Sequence, residues 1–316
     1  MKNVVTIGGG TGTYTVLTAL KKYSPQPLRL HAIVSMADDG GSTGILRDQY
    51  GVLPPGDIRQ ALVALAPGSL VSNLFNYRFE TGSLQGHNCG NIVLAAMEKI
   101  TGTFTLAVSE ASRILDIQGE VIPVTLDNIR LHAELEDGII IKGETNIDIP
   151  RTPFPAKIKN IWLSPEAHIN PRAQEIIRAA DLIVIGPGDL YTSVLPNFMV
   201  QGVVRAINKS KATKVYISNL MTKHGETRGF RGENFAGKIL EYLGSQGVDF
   251  MVFNNQRPSP TILKKYREEQ AEFVEPPYQL SVVGKRPVNV LADLLTDGDL
   301  IRHDESKLGA LITSLI

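Results

Sequence analysis

Several features that would assign this chain to a class of protein are scarce in its sequence. Cysteine occurs once, at Cys89, so no intramolecular disulfide can form, as is typical of a reducing compartment. Neither charge dominates, because Lys and Arg number 32 and Asp and Glu also number 32, whereas nucleic-acid binders usually carry a basic excess. No apolar run approaches the roughly 18 residues that span a bilayer, and no apolar segment of a signal peptide follows Met1. The sequence therefore predicts a cytoplasmic protein with no nucleic-acid partner and no membrane insertion.

Short β-branched apolar runs that alternate with longer helical patterns are abundant in this chain. This alternation is typical of βαβ units and a parallel sheet. Five runs are predicted to be strands: Val4–Ile7, Leu28–Ser35, Leu182–Ile185, Val215–Ser218 and Phe250–Phe253. The last residues, from Asp304, predict an N-capped amphipathic helix. We therefore expect the α/β class, with a doubly wound, mostly parallel Rossmann-like sheet in a single nucleotide-binding domain over residues 1–316.

The pattern changes between about residues 121 and 162. Alternating stretches at 129–135 and 138–142 are separated by a turn-like segment, and Pro150, Pro153 and Pro155 follow. Alternation of this kind is typical of antiparallel hairpins with one solvated face. We interpret this region as a small antiparallel β insertion in the α/β domain.

Glycine-rich and polar loops follow the predicted strands. Ligands of open parallel sheets bind beyond the carboxyl ends of the strands, where the strand order reverses. Besides the loop that follows the first strand, the candidate ligand-binding residues in these loops are Asp38, Asp39, Gly40, Ser42, Gly186, Gly188, Asp189, Asn219 and Thr222. Several such loops at one edge of one sheet predict a ligand site there.

The loop after the first strand, residues 8–12, has the composition of a phosphate cradle. Its candidate binding residues are Gly9, Gly10, Thr11 and Gly12, because glycine lets a ligand approach the backbone and helix N-termini attract anions. A tight strand-to-helix turn without a ligand is the alternative. The loop is neither a Walker A motif nor a complete GxGxxG fingerprint, so NAD binding, with Asp38 or Asp39 on the ribose, is not favoured.

Asp38 and Asp39 place two carboxylates beside this loop. Such a pair suits a divalent metal, a ribose hydroxyl or a general base, and capping of a turn is the alternative. Asp57 follows a Pro-Pro-Gly turn and is either a ligand contact or a helix N-cap. The sequence leaves these alternatives open.

Asn88 and Asn91 stand at a predicted helix start, where amide side chains can hold phosphate or sugar hydroxyls. Cys89, between them, is interpreted as a small buried residue rather than a nucleophile. His87 and His224 have no spaced partner that would indicate a zinc site.

Six blocks in one order resemble the gluconeogenesis-factor family called YvcK, within the superfamily of 2-phospho-L-lactate transferases (CofD). The blocks are GGGTG (8–12), MADDGGSTG (36–44), PPGDIRQ (54–60), HNCGNIVLAAM (87–97), GPGDLYTS (186–193) and NLMTKHGET (219–227). The similarity runs from Ile7 to Arg302, and the MADDGGSTG form is nearer to the regulatory branch than to the transferases.

The resemblance implies a cytoplasmic regulatory factor that binds UDP-activated amino sugars, notably UDP-N-acetylglucosamine. Such a factor is needed for cell shape and wall synthesis during gluconeogenic growth. The resemblance also implies roles for Tyr266 and Arg302, and these suit a ligand of this kind, since an aromatic ring can stack on uracil and a guanidinium can pair with a diphosphate. Expected partners are a UDP-sugar or related nucleotide diphosphate and the cell-wall synthesis machinery, and a homodimer is the base-rate expectation.

The transferase branch implies an alternative function. Its members move a phospholactyl group from a guanosine diphosphate derivative onto a deazaflavin alcohol with magnesium, and their acidic positions at the metal match Asp39 and Asp57. The sequence contains no convincing nucleophile–base pair, so we assign no catalytic residue, and the sensor is favoured over the transferase. An NAD-binding protein is the third interpretation.

Overall fold

The computed structural model describes residues 1–150, 156–278 and 286–315 of the chain. Within them the strands are β1 (Lys2–Gly8), β2 (Leu28–Val34), β3 (Glu120–Pro123), β4 (Arg130–Leu135), β5 (Ile140–Lys142), β6 (Ile158–Ser164), β7 (Leu182–Ile185), β8 (Thr213–Ile217), β9 (Phe250–Asn254) and β10 (Val288–Ala292). The α-helices of the same residues are α1 (Gly10–Tyr23), α2 (Gly41–Tyr50), α3 (Gly56–Leu65), α4 (Leu70–Asn76), α5 (Cys89–Thr101), α6 (Phe104–Ile114), α7 (Glu144–Asp148), α8 (Pro171–Ala179), α9 (Leu195–Met199), α10 (Val203–Lys209), α11 (Gly232–Leu243), α12 (Pro260–Glu268) and α13 (Glu305–Ser314). A π-helix spans Leu190–Val194 and a 3₁₀ turn spans Ser245–Gly247.

The main sheet has seven strands in the described residues, in the order β10-β9-β8-β7-β1-β2-β3, and all its neighbours pair in parallel. The central strands are buried on both faces, since Val4, Val5 and Ile7 of β1 are fully buried. Helices cover the faces of a parallel sheet, which explains the continuous apolar runs in the sequence. The predicted α/β class with a mostly parallel sheet is confirmed.

The strand order reverses at β1, whose neighbours are β2 on one side and β7 on the other. The connection from β1 to β2 runs toward one edge of the sheet, and the strands from β7 onward extend to the other edge. The loops after β1 and β7 therefore lie beside each other at the switch point, where ligands of such sheets bind.

The small sheet has the order β5-β4-β6 and is antiparallel, as expected for the insertion. It starts later than expected, because β3 pairs in parallel with β2 and forms the edge of the main sheet. Short α7 follows β5. Pro153 and Pro155 of the predicted insertion lie outside the described residues.

The C-terminal helix α13 begins where the sequence predicts, because the Asp304 side chain accepts a hydrogen bond from the Lys307 amide at 2.9 Å. This helix packs against α1 so closely that a Cβ at Gly309 would lie 2.6 Å from the Ala19 carbonyl oxygen. This packing sets the start of α13 against the end of α1, where the Lys22 ammonium lies 3.3 Å from the Glu305 carboxylate. None of the helices in the described part of the chain combines the length and apolar character that crossing a membrane requires.

Candidate ligand-binding cleft

A cleft of about 870 Å³ opens at the carboxyl edge of the main sheet. Its volume is in the usual range of small-molecule sites, about 300–1,000 Å³. The predicted residues among those that line it are Gly9, Gly10, Thr11, Gly12, Gly188, Asp189, Asn219, Thr222 and Arg302. Loops that lie far apart in the sequence thus meet at one site, as the parallel topology predicts.

Three of the four glycines of the first loop, Gly9, Gly10 and Gly12, are needed for different reasons. Gly10 has a φ of +58°, and a Cβ there would meet only the Ser193 Oγ, at 3.7 Å. A Cβ at Gly9 would lie 2.4 Å from the Asp57 Oδ2, and one at Gly12 would collide with the backbone of Pro187. Gly10 is therefore a conformational requirement, whereas Gly9 and Gly12 are set by close packing.

Asp57 and Asp38 lie near the glycine loop, and both side chains are partly buried. Burial and, after it, the charge of Asp38 raise the pKa of Asp57 to about 8, against a hydrogen bond from the Gly10 amide that lowers it. Burial likewise raises the pKa of Asp38, against hydrogen bonds from the Gly40 amide and the Thr43 hydroxyl. Asp57 lies in the first turn of α3 and is not its N-cap, which is Pro55.

Asp39 faces the small sheet rather than the cleft. Its carboxylate accepts hydrogen bonds from the amide and hydroxyl of Thr145, both at 2.9 Å, and from the Glu144 amide at 3.2 Å. Arg130 adds an ion pair at 3.4 Å. Asp39 thus ties the start of α7 to the loop after β2.

The positions of Asp39 and Asp57 bear on magnesium, which the transferase resemblance implies. The Asp39 oxygens are engaged by α7, while the Asp57 carboxylate lies against the glycine loop. The charge that acts most strongly on Asp57 is that of Asp38. A site shared by Asp39 and Asp57 therefore does not fit this arrangement.

Ser42, Asn88 and Asn91 form a polar network behind the cleft. The Ser42 hydroxyl lies 3.1 Å from the His87 Nδ1 and accepts from the Asn88 amide at 3.3 Å. The Asn88 side chain caps α5 by accepting from the Asn91 amide, also at 3.3 Å. These predicted binding residues do not line the cleft itself.

Arg59 is the cleft residue that this network holds, and the sequence reasoning did not select it. Its Nε donates to the Asn91 Oδ1 at 3.0 Å, and its Nη1 donates to the Asn76 Oδ1 at 2.7 Å. Arg59 lines the cleft on the side of α3. Its position in the block PPGDIRQ could have indicated a binding role, because a basic residue in such a block suits an anionic ligand.

Lys223 is a second cleft residue that the sequence reasoning missed. Its ammonium donates to the Asp189 Oδ2 at 2.8 Å and also contacts the Asp148 carboxylate. Burial alone would lower the pKa of Lys223, but the charges of Asp189, Glu226 and Asp148 together raise it. Oxygens of these three carboxyl groups lie within 4.8 Å of one another. Lys223 therefore provides the positive charge at the centre of an acidic cluster.

Two predicted residues of the loop after β8 make backbone contacts that hold neighbouring segments. The Asn219 Nδ2 donates to the Gly188 carbonyl at 2.7 Å, which connects the loops after β7 and β8. The Thr222 hydroxyl accepts from the Glu272 amide at 2.8 Å. The amide of Gly186, just after β7, donates to the Ile7 carbonyl at 3.2 Å, and a Cβ built there would lie at an ordinary 3.6 Å from Val16.

Of the two predicted residues near the C-terminus, Arg302 lines the cleft and Tyr266 is not among its lining residues. The Tyr266 hydroxyl accepts from the Ile301 amide at 2.9 Å, and its ring packs against a small cluster that contains Leu263 and Leu295. Arg302 lines the cleft, is exposed, and forms no side-chain hydrogen bond or ion pair within the described residues. Tyr266 therefore supports the segment that presents Arg302.

Comparisons with known proteins agree with this architecture. A family model described as 2-phospho-L-lactate transferase CofD matches residues 4–293. A putative gluconeogenesis factor from Aquifex aeolicus is 43% identical, covering 99% of this chain and 96% of that protein. The gluconeogenesis factor of Bacillus subtilis is 39% identical, covering 99% and 98%. A crystal structure of a upf0052 family member from Bacillus halodurans is 41% identical, covers 99% of both chains and superposes with a TM-score of 0.91.

Proposed function

This chain belongs to the CofD family, among its gluconeogenesis factors, and we propose on that basis that it is a cytoplasmic regulatory protein that binds a nucleotide sugar of the UDP-N-acetylglucosamine type. The family alone does not select a ligand. The chemistry of the cleft carries that part of the proposal.

The observation that carries the proposal is the meeting of the glycine loop with Arg302 across one cleft. The amides of Thr11 and Gly12, in the first turn of α1, have no backbone acceptor among the described residues, and the helix N-terminus favours an anion. Arg302 adds a free guanidinium, which suits a diphosphate because its donors form a planar fork. A nucleotide diphosphate fits both features, and the volume leaves room for a sugar.

Binding without chemistry is favoured over the transferase reaction. Asp57, whose raised pKa would suit a general base, packs against Gly9 and is not among the residues that line the cleft. Asp39 is engaged by α7. The cleft is thus better equipped to hold an anion than to activate an acceptor alcohol.

Relatives that carry the name gluconeogenesis factor support a role in gluconeogenic growth. We propose that the nucleotide sugar reports on precursor supply, and that the protein acts on the cell-wall synthesis machinery to maintain cell shape during gluconeogenic growth. The ligand-bound protein would be the form that contacts this machinery.

Calorimetric titration and thermal shift with UDP-N-acetylglucosamine, GDP and NAD test the ligand. We expect UDP-N-acetylglucosamine alone to give saturable binding and a rise in melting temperature, because a ligand stabilises the state that it binds. Each titration is repeated with EDTA, and equal affinity is expected because the Asp39 carboxylate is engaged by α7 and neither Asp39 nor Asp57 is among the residues that line the cleft. Preference for GDP, with binding that EDTA abolishes, would instead support the transferase.

A further inference from the structure

Arg59 is a buried cation without a counter-ion. Its residue exposure is 8%, yet it forms no ion pair with any carboxylate of the described residues. Its two hydrogen bonds go to the neutral amide oxygens of Asn91 and Asn76. Buried charges are normally paired, so an unpaired one at the wall of a cleft points to a partner that comes from solution.

The electrostatics of the site agree with this interpretation. Burial and the charge of the nearby Arg78 lower the pKa of Arg59 to about 10, and the charges of Asp57 and Asp38 only partly oppose this shift. The guanidinium still carries its proton at neutral pH. The folded protein thus maintains a desolvated positive charge that an anion would compensate.

The surroundings of Arg59 hold it in one orientation. Asn91 is fixed by the cap of α5, where the Asn88 side chain accepts from its amide. Gly90 makes room for the arginine, since a Cβ there would lie 2.8 Å from the Arg59 Cδ. Asn76, at the end of α4, holds Nη1. Two helices, α4 and α5, therefore position one guanidinium, which reduces the entropy lost on binding.

We propose that Arg59 is the cation that pairs with the diphosphate of the bound nucleotide, and that Asn91 is its positioning residue. This inference rests on the proposed function for the identity of the nucleotide. It assigns the diphosphate to the α3 wall of the cleft, between Arg59 and the glycine loop, both of which line the cavity. Arg302, which lines the same cleft, supplies a second guanidinium.

Titration of Arg59→Gln with UDP-N-acetylglucosamine, UDP, inorganic pyrophosphate and uridine tests the assignment. We expect affinity for the first three ligands to fall about 10- to 150-fold, as for the loss of charge-assisted hydrogen bonds. Affinity for uridine, which carries no phosphate, should not change. Arg59→Lys should be intermediate, because lysine keeps the charge but not the fork. Arg29→Gln, which removes an exposed arginine from β2, is the matched control and should bind like the parent.

A second variant separates binding from a structural role. Asn91→Asp keeps the acceptor for the Arg59 Nε and gives the guanidinium an internal counter-ion. We expect it to raise the unliganded melting temperature and to weaken UDP binding at least tenfold. If Arg59 were only structural, this variant would gain stability and keep the parent's affinity.

The inference and the proposed function fail in different ways. If the parent prefers GDP or another diphosphate to UDP ligands, the proposed nucleotide is wrong. Arg59→Gln must then still lower the affinity for the preferred ligand. If Arg59→Gln binds every diphosphate as the parent does, the assignment of Arg59 is overturned. If the parent binds no diphosphate, pyrophosphate included, both are overturned.

Discussion

Gly12 approaches Pro187 so closely that a Cβ built on the glycine would lie 1.4 Å from the proline's carbonyl oxygen. This contact joins the loops after β1 and β7, on the two sides of the switch point. The cleft is therefore built by loop packing before any ligand binds. Gly10 differs, because its φ is +58° and a Cβ there would meet only the Ser193 Oγ, at 3.7 Å.

Alanine at Gly12 and Gly10 should therefore have different consequences. Gly12→Ala must displace the Pro187 backbone, and we expect a loss of several kcal/mol in unfolding free energy, above the usual range of about 0.5–3 kcal/mol. Gly10→Ala meets no clash and should cost about 1–2 kcal/mol for the left-handed backbone. Chemical denaturation measures both. Equal losses would show that the two loops separate easily.

Tyr266 should contribute to stability as well as to the ligand site. Tyr266→Phe removes the acceptor of the Ile301 amide and should lower the unfolding free energy by about 1 kcal/mol. Tyr266→Ala also empties part of the cluster around Leu263 and should cost about 3–5 kcal/mol, with weaker UDP-N-acetylglucosamine binding because Arg302 loses its support. Unchanged melting temperatures for both variants would contradict this role.

Arg302 should affect binding without affecting the fold. Because its side chain has no partner in the described residues, Arg302→Gln should leave the unliganded melting temperature unchanged. It should reduce the thermal shift with UDP-N-acetylglucosamine, and Arg302→Glu should abolish that shift because a carboxylate repels a diphosphate. Calorimetric titration of both variants checks that Arg302→Glu loses more affinity than Arg302→Gln. Full ligand shifts in both would place the diphosphate elsewhere.

Lys223 should be required to neutralise its acidic cluster. Lys223→Met leaves Asp148, Asp189 and Glu226 without a cation, and we expect a clear destabilisation at pH 8. The loss should be below the 3–5 kcal/mol or so of fully buried pairs, because the Lys223 side chain is one-third exposed (33%). Millimolar Ca²⁺ should restore part of the lost stability, since three carboxylates at such short distances from one another can ligate a divalent cation.

The control for Lys223 is Lys238→Met, which breaks the surface ion pair with Glu241 on α11. Such pairs contribute about 0–1 kcal/mol. This variant and the parent should not respond to Ca²⁺. A Lys223→Met protein as stable as the parent at pH 8, with no calcium effect, would show that the carboxyl groups are protonated and need no cation.

Asp57 should make stability fall as pH rises. Its pKa is about 8 in the folded protein against an ordinary value of 3.8, so between these values the folded state keeps a proton that the unfolded state has lost. Raising pH through this window therefore destabilises the protein. The unfolding free energy of Asp57→Asn should therefore rise relative to that of the parent from pH 5 to pH 8, by at most about 1.4 kcal/mol per pH unit.

Urea denaturation of the parent, Asp57→Asn and Asp299→Asn at several pH values makes this test. Asp299 is exposed, so Asp299→Asn is the control and its unfolding free energy should depend on pH as that of the parent does. Burial also raises the pKa of Glu144, to about 9, so the variant keeps part of the pH dependence. A difference between parent and Asp57→Asn that is constant with pH would refute a proton on Asp57.

Local sequence signals predicted most of the fold. The five predicted strands are all in the main sheet, and Asp304 and Asn88 cap α13 and α5 through side-chain hydrogen bonds. The strand β10 was missed, because it lies at the sheet edge with a half-exposed pattern and depends on pairing with β9. The start of the insertion was placed too early for the same reason, since the pairing of β3 with β2 is a tertiary fact.

The sequence by itself determined the α/β class and the edge of the sheet that carries the cleft, because burial on both faces of a parallel sheet imposes apolar runs and the loops at their carboxyl ends must meet. Only the tertiary structure decided which polar side chains face that cleft. Adjacent carboxylates at Asp38 and Asp39 are equivalent in a sequence, yet one lies near Asp57 and the other binds the start of α7. Arg59 became a ligand candidate only when its burial and its lack of a counter-ion were known, because pairing of charges depends on residues far apart in the chain.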